Sequence, residues 1–333
     1  MKKGIAVAGN LLVDQLYPIE RFAGAGELTT IVRDMSRSIG GCVCNDAVDL
    51  AKLDPQLPIT ALGRVGNDAE GQFILETMAA NPNINLQHIK KEGTTSYTLV
   101  LADESTNQRT FYQCRGANAA FCEADIPWDV LDVDILHVGY ILLLDTLDEE
   151  DPEYGTKMAC LLHTAQAHGI KTSIDVVTES GDRFQKIARP ALNHTDYCII
   201  NETEAAAITG VCLRGEDGVL LTENLLPALK QLKALGVSTW AVIHCPELGA
   251  GLDEQDSYVQ IPSLKLPEGF IKGTVGAGDA FCSGVLYGAW KGFDLYTAIA
   301  LGTGAAACSL SEAGATEGMR SEGSVWELYR ALR

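Results

Sequence analysis

Short, nearly continuous apolar runs alternate along this chain with longer segments whose apolar residues recur every three or four positions. Ile5–Ala8, Asp134–Val138, Thr172–Val177, Asp196–Ile200 and Thr239–His244 are rich in β-branched side chains and show little polar alternation. That pattern predicts strands buried on both faces. Between two of these runs, Met158, Leu161, Leu162 and Ala165 fall at i, i+3, i+4 and i+7. The spacing predicts an amphipathic helix, opened by Asp151-Pro152-Glu153 and closed by Gly169. Repetition of strand, helix and strand predicts an α/β fold, a mainly parallel central sheet with helices on both faces.

One region breaks that rhythm. Ser96–Leu101 and Arg109–Gln113 are strand-like runs joined by the polar turn Asp103–Gln108, which predicts a hairpin. Arg21–Met35 reads as loop or strand and is expected to pair with the hairpin in a small second sheet. The acidic run Asp145–Glu153 contains six carboxylates and no cation. It is expected to be a solvated loop with favourable charge at the start of the following helix.

The chain has 333 residues, with 25 lysines and arginines against 44 aspartates and glutamates, a formal charge of −19. Such acidity repels phosphate backbones, so neither a nucleic acid nor an anionic membrane is an expected partner. It says nothing against a small anion held by backbone amides. With 47 % hydrophobic and 21 % charged residues the chain can bury a core. No apolar run approaches the ~20 residues of a membrane helix. The basic start Met1-Lys2-Lys3 precedes too short an apolar stretch for a secretory leader, and a buried first strand is expected instead. Ten cysteines include Cys198, Cys282 and Cys308 in apolar runs, and Cys42 and Cys44 as C-x-C. No further cysteine or histidine pair completes a zinc set by spacing, so free thiols in a reducing cytoplasm are expected. His137, His194 and His244 occur singly and read as structural.

The strongest chemical signal is Gly273-Thr274-Val275-Gly276-Ala277-Gly278-Asp279-Ala280-Phe281. Clustered glycines ahead of an amphipathic run let amides converge at a helix N-terminus, a good place for phosphate. The bland alternative is a tight turn or cap. Neither G-x-G-x-x-G nor G-K-[ST] is completed. Asp279 among those donors suits a general base that takes a proton from a hydroxyl attacking phosphorus.

These residues resemble the D-T-x-G-A-G-D signature of the ribokinase-like (PfkB) sugar and nucleoside kinases. Further stretches resemble that family in the expected order: Asp14 after Gly9-Asn10; Gly40-Gly41-Cys42-Val43-Cys44-Asn45 for G-G-x-x-x-N; Gly63–Gly71 for G-x-x-G-x-D-x-x-G; the 96–113 hairpin for part of a lid; Asn201-Glu202-Thr203-Glu204 for N-x-x-E; and Gly314-Ala315 for a late nucleotide loop. The resemblance implies one kinase domain over residues 1–333, with lid segments at about 12–38 and 94–115. It implies Asp279 as base and the amides of Gly276, Ala277 and Gly278 as anion hole. Gly40, Gly41, Asn45 and Asp14 would contact the acceptor, although Asp14 could equally cap a turn. Asn201 and Glu204 would orient the water shell of Mg²⁺ beside ATP, with ordinary helix capping as their alternative. Thr274 would contact phosphate or cap the helix.

Two departures stand out. Gly273 replaces the signature's first aspartate, which puts K⁺ activation in doubt. Pro246, in Ile243–Gly249, falls where relatives often carry a glycine-rich nucleotide loop, and it lacks an N–H. The expected activity is ATP-dependent phosphorylation of a small sugar or related polyol. Alternatives are a nucleoside kinase, for which Tyr97, Phe111 and Tyr112 speak, and a catalytically silent sugar- or nucleotide-binding protein. A phosphorylated acceptor would need cations, for which Arg64, Arg109 and Arg115 are the candidates. Exposed lid strands invite edge pairing, so a homodimer through the lid is expected.

Overall fold

The computed structural model describes residues 3–106, 108–178, 181 and 183–333; Met1, Lys2 and Asn107 of the expected turn lie outside the described residues. In chain order the elements begin with β1 (Ile5–Gly9), β2 (Leu12–Ile19), β3 (Ser36–Gly40), α1 (Cys42–Leu53), β4 (Ile59–Val65), α2 (Ala69–Ala79), β5 (Ile84–Asn85), β6 (Ile89–Lys91), β7 (Ser96–Asp103) and β8 (Arg109–Cys114). Then follow β9 (Ile135–Ile141), β10 (Glu150–Asp151), β11 (Gly155–Thr156), α3 (Lys157–Ala167), β12 (Lys171–Val176), α4 (Arg183–Leu192), β13 (Tyr197–Asn201), α5 (Glu202–Thr209) and α6 (Leu225–Ala234). The last are β14 (Trp240–His244), β15 (Leu248–Leu252), β16 (Tyr258–Pro262), α7 (Ala277–Lys291), α8 (Leu295–Leu310) and α9 (Glu322–Leu332).

The large sheet runs β16-β15-β14-β13-β12-β9-β1-β4-β5, with β6 also on β4. Its strands are parallel from β14 to β4, β5 and β6, while β15 and β16 close one edge antiparallel. The period of two in each strand sorts side chains between the faces. Ile5 and Val7 join a core with α1, α2, α7, α8 and α9, whereas Ala6 and Ala8 join one with α3 to α6. Each fully buried Ile or Val contributes roughly 1.5–3 kcal/mol. The five runs expected as strands form β1, β9, β12, β13 and β14. Gly284 and Gly288 let α7 and α8 close up: a Cβ on Gly284 would stand 2.7 Å from Gly302 Cα.

A second sheet, β3-β2-β7-β8, stands beside the first. The hairpin β7–β8 is as expected. Its partners, however, are β2 and β3, while residues 21–35 form an irregular excursion joined to β2 by the bridge Ile19–Ile31.

Two expectations are corrected. The helix expected from Asp151 starts at Lys157, where Thr156 Oγ1 accepts from Ala159 N. Asp151 Oδ1 instead accepts from the amides of Glu153 and Tyr154, an Asx turn that closes the β10–β11 hairpin. The acidic run is not wholly solvated either. Asp148 is buried against Arg183 and the Leu142 amide, and burial pushes its carboxyl up to about 6.

Candidate active site

Strand order reverses around β1, between β9 and β4, and ligands in open α/β sheets bind beyond the carboxyl ends at such a point. Asn10 after β1, Tyr140 in β9, Asn201 ending β13 and His244 ending β14 all lie at those ends.

Asp279 sits in the first turn of α7, whose cap, Gly276, has φ 77°. A Cβ on Gly276 would come 2.5 Å from Ala315 O, so glycine lets the turn lie directly on the 313–315 loop. Helix geometry leaves the first amides of α7 without intrahelical acceptors, and Gly276, Ala277 and Gly278 supply them. The Asp279 carboxylate is held from two sides: Asn45 Nδ2 donates to Oδ2 at 2.7 Å, and Tyr140 Oη donates to Oδ1 at 2.8 Å and Oδ2 at 2.9 Å. Burial, reinforced by Asp46 and Glu204 and opposed by the Asn45 and Tyr140 hydrogen bonds, pushes it up to about 7. That is the range of a general base at neutral pH.

Asn45 lies one helical turn into α1, after the Gly40-Gly41 bend. Its Oδ1 and that of Asn10 are buried without hydrogen-bond partners among the described residues. Two such unpaired acceptors match the donors of a polyol. Asp14, in β2 between Ser38 of β3 and Thr98 of β7, has its carboxyl raised by burial and lowered in part by the Thr98 hydroxyl. Gly40 is what admits it, since a Cβ there would stand 2.4 Å from Asp14 Oδ2.

Across α7 lies a cavity of about 640 Å³ lined by Asn201, His244, Pro246, Thr274, Gly278 and Phe281 among others. His244 packs against Phe281 with the rings tilted, and burial lowers its imidazole to about 4, so it is neutral there. Cys245 and Leu248 exchange backbone hydrogen bonds around Pro246, making the expected nucleotide loop a tight hairpin between β14 and β15. Arg214 ties this hairpin to α5 through Glu247 and Glu202. Asn201 and Glu204 form a capping box on α5, and Thr178 Oγ1 also donates to Glu204. Burial raises Glu204 to about 7; burial, Glu204, Asp279 and Asp46 raise Asp175 well above the carboxylate range.

The sequence signature of the pfkB family of carbohydrate kinases matches residues 2–322. The chain belongs to that family. As a PfkB chain it is 24 % identical over 221 residues to a bifunctional ribokinase/ribose-5-phosphate isomerase A of Fructilactobacillus sanfranciscensis; the match covers 66 % of this chain and 38 % of that protein, so the PfkB chain spans well under half of that relative. It is 25 % identical over 305 residues to 2-dehydro-3-deoxygluconokinase of Escherichia coli K12, covering 86 % and 88 %. Arabidopsis thaliana ribokinase, solved with ribose and ATP, shares the fold with a TM-score of 0.81 at 22 % identity over 99 % of each chain.

Within this PfkB fold, Asp279 and Asn45 touch, Asp14 packs on Gly40, and Asn201, Thr274 and Gly278 line one cavity. Gly41 caps α1, and Ala277 opens α7. Sequence reasoning missed Tyr140 as a partner of Asp279, and Asn10 as a polar floor. Nothing local marks Tyr140; the parallel pairing of β1 with β9 brings it there. Two of the candidate cations are committed elsewhere: Arg64 grips Asp125 through two hydrogen bonds, and Arg115 donates to Leu142 O. Nor are the histidines isolated, because His194 packs on Tyr154 and His163 and His137 faces Asp46.

Proposed function

We propose that the chain transfers the γ-phosphoryl group of ATP to a hydroxyl of a small sugar or related polyol. The observation that carries this reading is the Asp279 carboxylate, fixed by Asn45 and Tyr140 at the start of α7 between a polar floor and the 640 Å³ cavity. The acceptor oxygen forms a bond to γ-phosphorus, the bond to the β,γ-bridging oxygen breaks, the hydroxyl proton passes to Asp279, and ADP leaves. The amides of Gly276, Ala277 and Gly278 stabilise the charge on the transferring group, and Thr274 flanks it. Asp14, Gly40, Gly41, Asn45 and Asn10 orient the acceptor. Crowded, raised carboxyls at Asp175, Glu204 and Asp279 fit a hard cation. Mg²⁺ held through water by Asn201 and Glu204 would supply charge neutralisation for the phosphates.

Gly273 offers no carboxylate to a monovalent ion. A Cβ there would stand 2.7 Å from Ala313 O, so backbone packing occupies the space. The strands β2, β3, β7 and β8, within segments 12–38 and 94–115 of one kinase unit, serve as a lid that excludes water from the acceptor. Phe111 and Tyr112 are more than half exposed on it, which favours a lid-to-lid homodimer over a base-stacking role. No helix among the described residues is long and apolar enough to cross a membrane; a cytoplasmic location is part of this proposal.

A coupled ADP-release screen across pentoses, hexoses, 2-keto-3-deoxy acids, sugar phosphates and nucleosides, with and without potassium, tests the reading. Turnover with one sugar class is expected. Turnover confined to nucleosides would replace it, and ATP and sugar binding with no turnover would make the protein a silent binder.

A further inference from the structure

Beneath the catalytic turn lies a buried group of metal-ligating side chains that phosphoryl transfer does not use. Cys42 and Asp46 share one face of α1, four residues apart, and His137 meets them from β9. Sγ, a carboxylate oxygen and a ring nitrogen of the three all lie within 4.8 Å of one another, and all three residues are buried. Cys42 Sγ is 3.1 Å from Asp46 Oδ2, which is 3.4 Å from His137 Nε2; Cys282 Sγ of α7 is 3.9 Å from the same nitrogen. Ligands on a tetrahedral zinc, with bonds of ~2.0–2.3 Å, stand roughly 3.3–3.8 Å apart. The outer partners are also present. Ser173 Oγ lies 3.0 Å from His137 Nδ1, which leaves Nε2 free to bind when the proton is on Nδ1, and Ser283 Oγ donates to Asp46 Oδ1 at 2.9 Å.

We propose that Cys42, Asp46 and His137 form a buried structural site for a divalent transition metal, Zn²⁺ by the softness of its donors. The mixed sulfur, nitrogen and oxygen set excludes Mg²⁺ and Ca²⁺ as occupants. Charge balances on binding: the Cys42 thiol proton leaves, and the thiolate and the Asp46 carboxylate together neutralise one Zn²⁺. Without metal, burial and the surrounding Asp46, Asp175 and Asp279 charges hold the Cys42 thiol protonated, and it donates to Asp46. Zinc would pin α1, which carries Asn45, to β9, which carries Tyr140. The site is closed to solvent, so metal enters during folding, and C-x-C spacing gave no hint of it because the ligands come from two elements far apart in the chain.

The test uses the full chain and needs no turnover measurement. Wild-type protein made in zinc-supplemented cells and purified without chelators is expected to carry about one zinc per chain by elemental analysis. Asp46→Asn and Cys42→Ser are expected to carry less than about a tenth of that, and Cys212→Ser, at an exposed cysteine, the full amount. Unfolded wild type refolded with Co²⁺ should develop a thiolate-to-cobalt charge-transfer band and the intense visible bands of tetrahedral cobalt. Wild-type protein without zinc that also refolds with Co²⁺ but without those bands overturns the proposal, as does zinc retained in full by Asp46→Asn. Should the variants fail to fold, the wild-type zinc content and cobalt spectrum decide it alone.

Discussion

At the scale of single residues, the base proposed at Asp279 comes at a cost in stability. Asp279 moves from an ordinary 3.8 to about 7, chiefly by burial, which corresponds to on the order of 4 kcal/mol against the ionised form. A carboxyl raised in the folded state binds more protons there, so stability falls as pH climbs from 3.8 towards 7. Asp279→Asn should therefore melt at a higher temperature than wild type at pH 8, with the gap narrowing by pH 5, while turnover falls by about three orders of magnitude or more. Equal melting curves or near-normal turnover would refute this assignment. The base must be ionised to act, so kcat/KM for the acceptor should drop about tenfold per pH unit below ~7. The groups facing Asp279 are Asn45 and Asp46 on α1, Tyr140 on β9, Asp175 on β12 and Glu204 on α5. Of these, Asn45 and Tyr140 favour the ionised form by hydrogen bonding to it. Tyr140→Phe should shift the acid limb to higher pH and lower kcat by roughly 10–100-fold, a shift that mere loss of packing would not give.

At the scale of elements, two glycines in the C-terminal part of the chain should respond oppositely to the same change. Gly276 needs φ 77° and has no room for a methyl group, so Gly276→Ala should cost about 1–3 kcal/mol in urea unfolding and cut kcat more than a hundredfold. Gly323, exposed in α9 with nothing within 4 Å of a would-be Cβ, should become roughly 0.5–1 kcal/mol more stable as alanine. The same residues explain what was legible beforehand. Strands with unbroken β-branched runs declared themselves, as did the glycine-rich turn, because their signals are local. The strand β15 did not: Leu248-Gly249-Ala250-Gly251-Leu252 reads as a loop, and its glycines are set by Phe281, Ile299 and Leu295 packing over them from α7 and α8. Asp151 misled for a related reason, since its carboxylate closes a turn where Thr156 takes the cap. Asp279 was legible from its turn, whereas Tyr140 and the Cys42–Asp46–His137 cluster required knowing which strand lies beside which.

At the scale of the molecule, a charge of −19 and an exposed apolar lid pull in opposite directions. Net charge keeps copies apart at long range, but screening over ~8 Å at physiological salt leaves short-range apolar contact to decide. The lid exposes Phe111 and Tyr112 on β8, with Leu28, Ile31 and Met35 on the neighbouring excursion, and β8 is the sheet's terminal strand. An edge strand carrying exposed aromatics either pairs or is protected, and Arg109 is the single charged residue within β8. A lid-to-lid dimer would cover this surface and stiffen the strands that bear Asp14 and Thr98. Light scattering behind size exclusion should give twice the chain mass for wild type at physiological salt. The double change Phe111→Glu and Tyr112→Lys should give one chain mass with unchanged circular dichroism and a raised KM for the acceptor, because a lid loosened at its edge strand holds Asp14 less firmly. A monomeric wild type would separate the lid's role in closing over the acceptor from any role in assembly, and would leave those aromatics to be explained by closure alone.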